Sequence, residues 1–169
     1  LSLLACTPRS QPDATPPSST EAEDERLPER PPIERSAELM AAGQAAAALT
    51  LLDEALAKRA DDPELHYARG IALEQLARPQ QAIAAWQAAI ALKPDFYPAH
   101  NGIGAIELDA GNAEAAARAF EAAIAASPDF SDAHYNLARA ALTLGQADRA
   151  LAELETANRL APEDVDVLA

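Results

Sequence analysis

Cysteine is almost missing from this chain of 169 residues, with Cys6 the single example. A lone cysteine excludes an intramolecular disulfide framework and any zinc site built on two or more thiolates, so the fold has to rest on packing. Aromatic side chains number only seven, and the apolar content is mostly alanine. Alanine has the highest helix propensity, while the β-branched residues that favour strands are few, which points to an all-α fold. Basic residues are outnumbered 13 to 27, leaving a formal net charge of −14. That balance speaks against nucleic acid, whose binding relies on Lys and Arg displacing condensed counterions, and against acidic partners in general. No apolar run approaches the ~18 residues that a membrane-spanning helix needs. Glycine-rich phosphate loops, metal motifs and a Ser or Cys nucleophile paired with His are also missing, so neither catalysis nor a cofactor is expected.

Proline is plentiful but unevenly placed, with seven of the thirteen between Pro8 and Pro32 beside Ser, Thr and the charged run Glu21 to Arg26. Such a stretch buries too little apolar surface to offset the chain entropy lost on folding, and residues 7–33 are expected to form a disordered tether. Its roughly 28 residues would reach about 30 Å as a coil, or about 85 Å as polyproline II. Ahead of it stands Leu1-Ser2-Leu3-Leu4-Ala5-Cys6. This resembles the end of a bacterial lipoprotein signal peptide, with Leu3 three positions before the cysteine and the small Ala5 next to it. The resemblance implies lipidation of Cys6 and attachment to a bacterial cell envelope. Thr7 stands where family members retained at the inner membrane often carry Asp, which favours the outer membrane, facing the periplasm. An initiator Met and a basic leader are missing, so truncation at the start is expected; a cytoplasmic protein with an incidental Cys6 is the alternative.

The rest of the chain is periodic. Gly70, Ala82, Trp86, Ala89 and Pro94 recur 34 residues on as Gly104, Ala116, Phe120, Ala123 and Pro128. A further step gives Ala138, Ala150, Leu154, Ala157 and Pro162, and one step back gives Ser36, Ala48, Leu52, Ala55 and Ala60. The phase never slips. Ala82, Trp86 and Ala89 stand at i, i+4 and i+7 and so share one helix face. The small residue at position 70 lets two helices approach, and Pro94 ends the second of them. Gly43, Gly111 and Gly145 fall between paired helices, and Pro79 takes glycine's region in the second unit, opening its helix. Helices are thus predicted near 34–42, 45–58, 63–76, 79–92, 97–110, 113–126, 131–144 and 147–160.

These positions resemble the tetratricopeptide repeat. The resemblance implies a right-handed α-α solenoid of about four units over residues 34–164 (about 29–62, 63–96, 97–130 and 131–164), with 165–169 opening a truncated further repeat or cap. Units in such a stack bury their faces on neighbours, so the last needs a polar cap. Asn158 supplies only part of one where Ile90 and Ile124 stand in earlier units. The uncapped unit makes a homodimer or a longer chain the expected outcomes.

His66, His100 and His134 also fall 34 apart. Successive units are displaced by about 10 Å, the distance of packed helices, whereas zinc needs its ligands ~2 Å away. A structural place on the first helices is expected for all three, and no metal. The Asp61-Asp62 pair lies at a turn, where carboxylates cap helices.

The family resemblance implies a non-catalytic protein-interaction scaffold whose concave groove, lined by first helices, takes a segment of a partner. Carried over position by position, the groove residues are Tyr67, Ile71 and Glu74, then Asn101, Ala105 and Leu108, then Tyr135, Arg139 and Leu142. Phe96 and Phe130 stand at the turns between units, and Leu108 and Leu142 are the two most suited to packing. The subtype that clamps a C-terminal carboxylate needs Lys, and this groove has none. The sugar-transferase subtype carries one asparagine per unit where this chain has Ala68, Gly102 and Asn136. What remains resembles, in architecture, the lipidated repeat proteins of bacterial envelopes, including pilotins that help secretins assemble. A cytoplasmic adaptor or assembly chaperone, or the arm of a larger enzyme, are the alternatives. With Glu74, Asp109 and Asp132 around the aromatics and only Arg139 positive, the expected protein or peptide partner has apolar anchors and basic flanks, while the membrane is met through the lipid alone.

Overall fold

The computed structural model describes residues 31–162. The expectations for Cys6, for the tether up to residue 30 and for residues 163–169 lie outside the described residues. Eight helices follow one another: α1 (Pro32–Ala41), α2 (Ala45–Lys58), α3 (Pro63–Gln75), α4 (Pro79–Leu92), α5 (Tyr97–Asp109), α6 (Ala113–Ala126), α7 (Ser131–Thr143) and α8 (Ala147–Leu160). No strand occurs among the described residues. The helices match the predicted spans to within two residues, and the largest difference has a plain cause. Helix α1 opens at Pro32 rather than at residue 34, because a proline at the first helical position loses no hydrogen bond and already has the required φ.

Each unit pairs its two helices, and each second helix then packs on the first helix of the next unit. Helix α1 also packs on α3, and α5 on α7, whereas no two second helices pack comparably. First helices therefore form the inner, concave layer and second helices the outer one. The chain is an all-α solenoid, and its core is a row of small clusters passed from unit to unit.

The turns inside the units share one construction. After α1 the amide of Gly43 donates to Met40 O and that of Gln44 to Leu39 O; the same pair recurs at Gly111 and Asn112, and at Gly145 and Gln146. This is the Schellman arrangement, which needs a left-handed residue, and the three glycines have φ of +73°, +82° and +71°. In the second unit the residue in phase with them is Ala77, not Pro79, and it takes φ +55° with the same two hydrogen bonds. Pro79 instead opens α4. Turns between units differ. Lys93 and Ser127, each before a proline, are extended, with ψ of 91°, as the steric demand of the following ring requires.

What sets the distance between paired helices is the bulky second-helix residue meeting a missing side chain. A Cβ on Gly70 would lie 2.1 Å from Trp86 Nε1, one on Gly102 2.8 Å from its Cη2, and one on Gly104 2.5 Å from Phe120 Cε1. Trp86 and Phe120 are 1% and 0% exposed. An aromatic of this kind buries roughly 150–250 Å², which at about 25 cal/mol per Å² is ~4–6 kcal/mol as an upper figure. The indole N–H is satisfied by Tyr67 O at 3.1 Å. In the outer units smaller partners match, Leu154 packing against the cluster of Ala138, Ala141 and Ala150 and Leu52 standing in phase with Ser36, whose hydroxyl donates to Ile33 O at 2.7 Å.

Two stability predictions follow from this geometry. Gly70→Ala should cost about 3 kcal/mol or more by overpacking, and combining it with Trp86→Leu should cost less than the two single changes added, by more than ~1 kcal/mol, in urea unfolding. Additive losses would show that the two residues do not oppose each other. Ala77→Gly should raise stability by about 1 kcal/mol, because the left-handed region costs alanine that much more than glycine; no gain in the unfolding midpoint would refute the strained turn.

Candidate functional site

The inner layer carries the residues assigned to the groove, but at unequal depths. Tyr135 is 44% exposed and Leu142 57%. Arg139 is exposed and donates from Nη1 to Asn136 Oδ1 at 3.2 Å, while Asn136 Nδ2 donates to Asn101 Oδ1 at 3.1 Å. Glu74 is exposed, and Ala105 half-buried. Ile71 packs against the cluster around Trp86 and Leu108 against that around Phe120.

Phe96 is a correction. It is only 8% exposed and belongs to the core, with its ring 5.2 Å from that of Tyr67 and Lys93 Nζ 5.3 Å from its centroid. Burying it at the unit junction satisfies the ring, so no face remains for a partner. Leu142 is a second correction, since it is open rather than a packing residue. Tyr67 is half-buried, 6.4 Å from Trp86. It shares a repeat position with Tyr135 but leans on an indole, where Tyr135 has only the smaller Leu154 in phase.

A residue that the repeat pattern did not single out completes the surface. Tyr97, the first residue of α5, is 37% exposed, and its ring meets the half-buried Phe130 edge-on at 4.8 Å. Its counterparts are Pro63 and Ser131, so periodicity carried no signal; the Phe96-Tyr97 doublet was the available clue. Tyr97, Phe130 and Tyr135 thus border the start of the inner face and Leu142 its far end. Aromatics outside a core supply large contact area at small entropic cost.

Two carboxylates mark the far edge between α3 and α5. Glu74 and Asp109 line one cavity of about 400 Å³ together with Ala77, Pro79, Gln80, Ile106 and Ala110. Although part of Glu74 faces solvent, the partial burial of the rest against this cavity, and after it the Asp109 charge, raises its carboxyl above the ordinary range. Burial, then Glu74 and Tyr97, raises the Tyr67 phenol.

The histidines have structural partners. Nε2–H donates to the carbonyl that leaves the preceding unit, Ala60 O at 2.8 Å for His66, Pro94 O at 2.9 Å for His100 and Pro128 O at 3.0 Å for His134. His134 Nδ1 also meets Glu153 Oε2 at 2.7 Å. Among the described residues no group of three or more His, Cys, Asp or Glu is arranged to hold a metal, and no helix is long and apolar enough to cross a membrane. Asp62 caps α3, accepting from the amides of Glu64 and Leu65 at 3.1 and 3.2 Å.

Two family profiles described as tetratricopeptide repeat match the sequence, one over residues 63–96 and the other over 107–169. Comparison with curated proteins gives no match. Solved structures are similar. MamA 41-end from Desulfovibrio magneticus RS-1 is 28% identical, with 79% of this chain and 75% of that one covered and a TM-score of 0.69. A crystal structure of MamA is 24% identical over 78% and 77%, with a TM-score of 0.71. Pseudomonas aeruginosa pilF is 19% identical over 79% of this chain and 61% of that one, with a TM-score of 0.73; the last two likenesses speak for the fold alone. The matched repeats, the 34-residue phase and the helix pairs agree, and the chain is a tetratricopeptide-repeat protein.

Proposed function

We propose that the chain is a non-catalytic scaffold, anchored to a bacterial envelope through a lipid on Cys6, that holds a segment of a partner protein on its concave face. The observation that carries this reading is the exposed apolar surface of the inner layer: Tyr97, Tyr135 and Leu142, with Phe130 behind the first. Side chains of that size left in water on the layer that repeat proteins use as a binding surface support contact with a partner. Apolar anchors would meet these residues, and basic groups would meet Glu74, Asp109 and Asp132. Electrostatics then speeds encounter, and the apolar contacts set the dissociation rate.

Anchoring rests on Leu3, Ala5 and Cys6 together with the proline-rich stretch after them. Two acyl chains give stable attachment where one gives marginal binding. An outer-membrane position facing the periplasm fits Thr7 after the cysteine.

Two measurements test the proposal. Tyr97→Ala with Tyr135→Ala should weaken binding of a captured partner by more than ~2 kcal/mol without loss of helicity; these two serve better than Tyr67, whose removal would disturb Trp86. Undiminished binding would move the interaction to the outer helices. Mass spectrometry of the protein from its native membranes should show a diacylglyceryl group on Cys6 as the mature first residue, and an unmodified cysteine would remove the anchor from the proposal.

A further inference from the structure

The inner layer is not evenly closed. Helix α1 packs on α3 and α5 on α7, but α3 and α5 pack on each other far less. Trp86 is the physical reason. Its ring lies against the backbone of Gly70 in α3 and of Gly102 in α5, so the indole stands between the two helices and keeps them apart. Beyond it, toward their C-terminal ends, the gap opens into the cavity of about 400 Å³, within the roughly 300–1,000 Å³ of pockets that hold small organic groups.

We propose that a partner segment crosses the concave face along α5, seating an aromatic or leucine side chain on Tyr97 and Tyr135 and one lysine or arginine side chain in the gap between α3 and α5. This rests on the scaffold reading above and adds the register and the residue that it selects. Ile106, Pro79, Ala77 and Ala110 offer apolar contact to the aliphatic stem of such a side chain, and Glu74 and Asp109 offer the counter-charge. Among the described residues neither carboxylate has an ion-pair or hydrogen-bond partner of its own. Burial, and after it the charge of Asp109, opposes ionisation of Glu74, and a cation between the two carboxylates offsets both. A second copy of the chain suits the gap less, because two bodies of net charge −14 repel. From Tyr97 to Asp109 α5 rises about 18 Å at ~1.5 Å per residue, which an extended partner at ~3.3 Å per residue spans in about five or six residues.

The test uses the full chain and a displayed library of random twelve-residue peptides. Selected peptides should carry Lys or Arg about five or six residues from an aromatic or leucine. Against the Glu74→Gln, Asp109→Asn double variant, with helicity unchanged, the same peptides should bind at least tenfold more weakly and with a shallower salt dependence. Tyr97→Ala with Tyr135→Ala should abolish them. If the peptides lack a basic residue, or bind the carboxamide variant as tightly while losing the tyrosine variant, the concave-face reading stands and the gap assignment is overturned. Peptides indifferent to both variants, or no selected peptides at all, overturn the concave-face reading together with it.

Discussion

The contact of Trp86 with two glycines fixes more of this molecule than any other interaction. A Cβ on Gly70 or Gly102 would collide with the indole, so neither the approach of α3 to α4 nor that of α4 to α5 is possible with an ordinary residue at those positions. One side chain therefore closes its own unit and joins it to the next. It also seats Tyr67, whose carbonyl accepts the indole proton, and Tyr67 in turn covers Phe96. The pairing becomes smaller outward, Phe120 on Gly104 and then Leu154 on the cluster around Ala138. Stability in a stack of repeats is a sum of units and nearest-neighbour interfaces. The gradient in pair size places the largest buried pairs in the two middle units and the smaller ones in the outer units of the described solenoid.

The 34-residue phase made the fold legible because each recurring position has one physical task. Small residues admit a neighbouring helix, Ala-bulky-Ala makes a buried stripe, and proline follows an extended residue; these tasks place eight helices to within two residues. The turn of the second unit escaped the reading because Ala77 breaks the glycine pattern while keeping its conformation. A backbone hydrogen-bonded at both Ala77 and Arg78 forces φ positive whatever the side chain, and composition alone does not announce that.

The groove was legible only in part, for a related reason. Periodicity states which face of a helix a residue occupies, not what the neighbouring units place beside it. Tyr67 and Tyr135 share a position, but only Tyr67 has an indole to lean on. Phe96 and Phe130 share another, and Phe96 is buried by Tyr67 where Phe130 meets Tyr97 at the surface. Leu108 and Leu142 divide the same way: Leu108 packs against the cluster around Phe120, whereas Leu142, on α7, the last described first helix, is exposed. Depth in a repeat protein is thus set by the differences between units, and those differences decide which large side chains stay open on the inner layer.

A surface of this kind is useful only if the units keep their angle, and the histidines bear on that. Each sits on a first helix and holds the carbonyl that leaves the previous unit. Without that donor the carbonyl would depend on water, and the turn would lose one of its fixed points. With it, the chain between units is tied to the helix that follows, and the inner layer is set before any partner arrives. In the proposed mode, association would order mainly the partner segment rather than the groove, which lowers the entropic cost on this side of the interface. The residues that most resembled a reactive ladder in the sequence therefore act structurally, tying each inter-unit turn to the helix that carries the surface proposed for a partner.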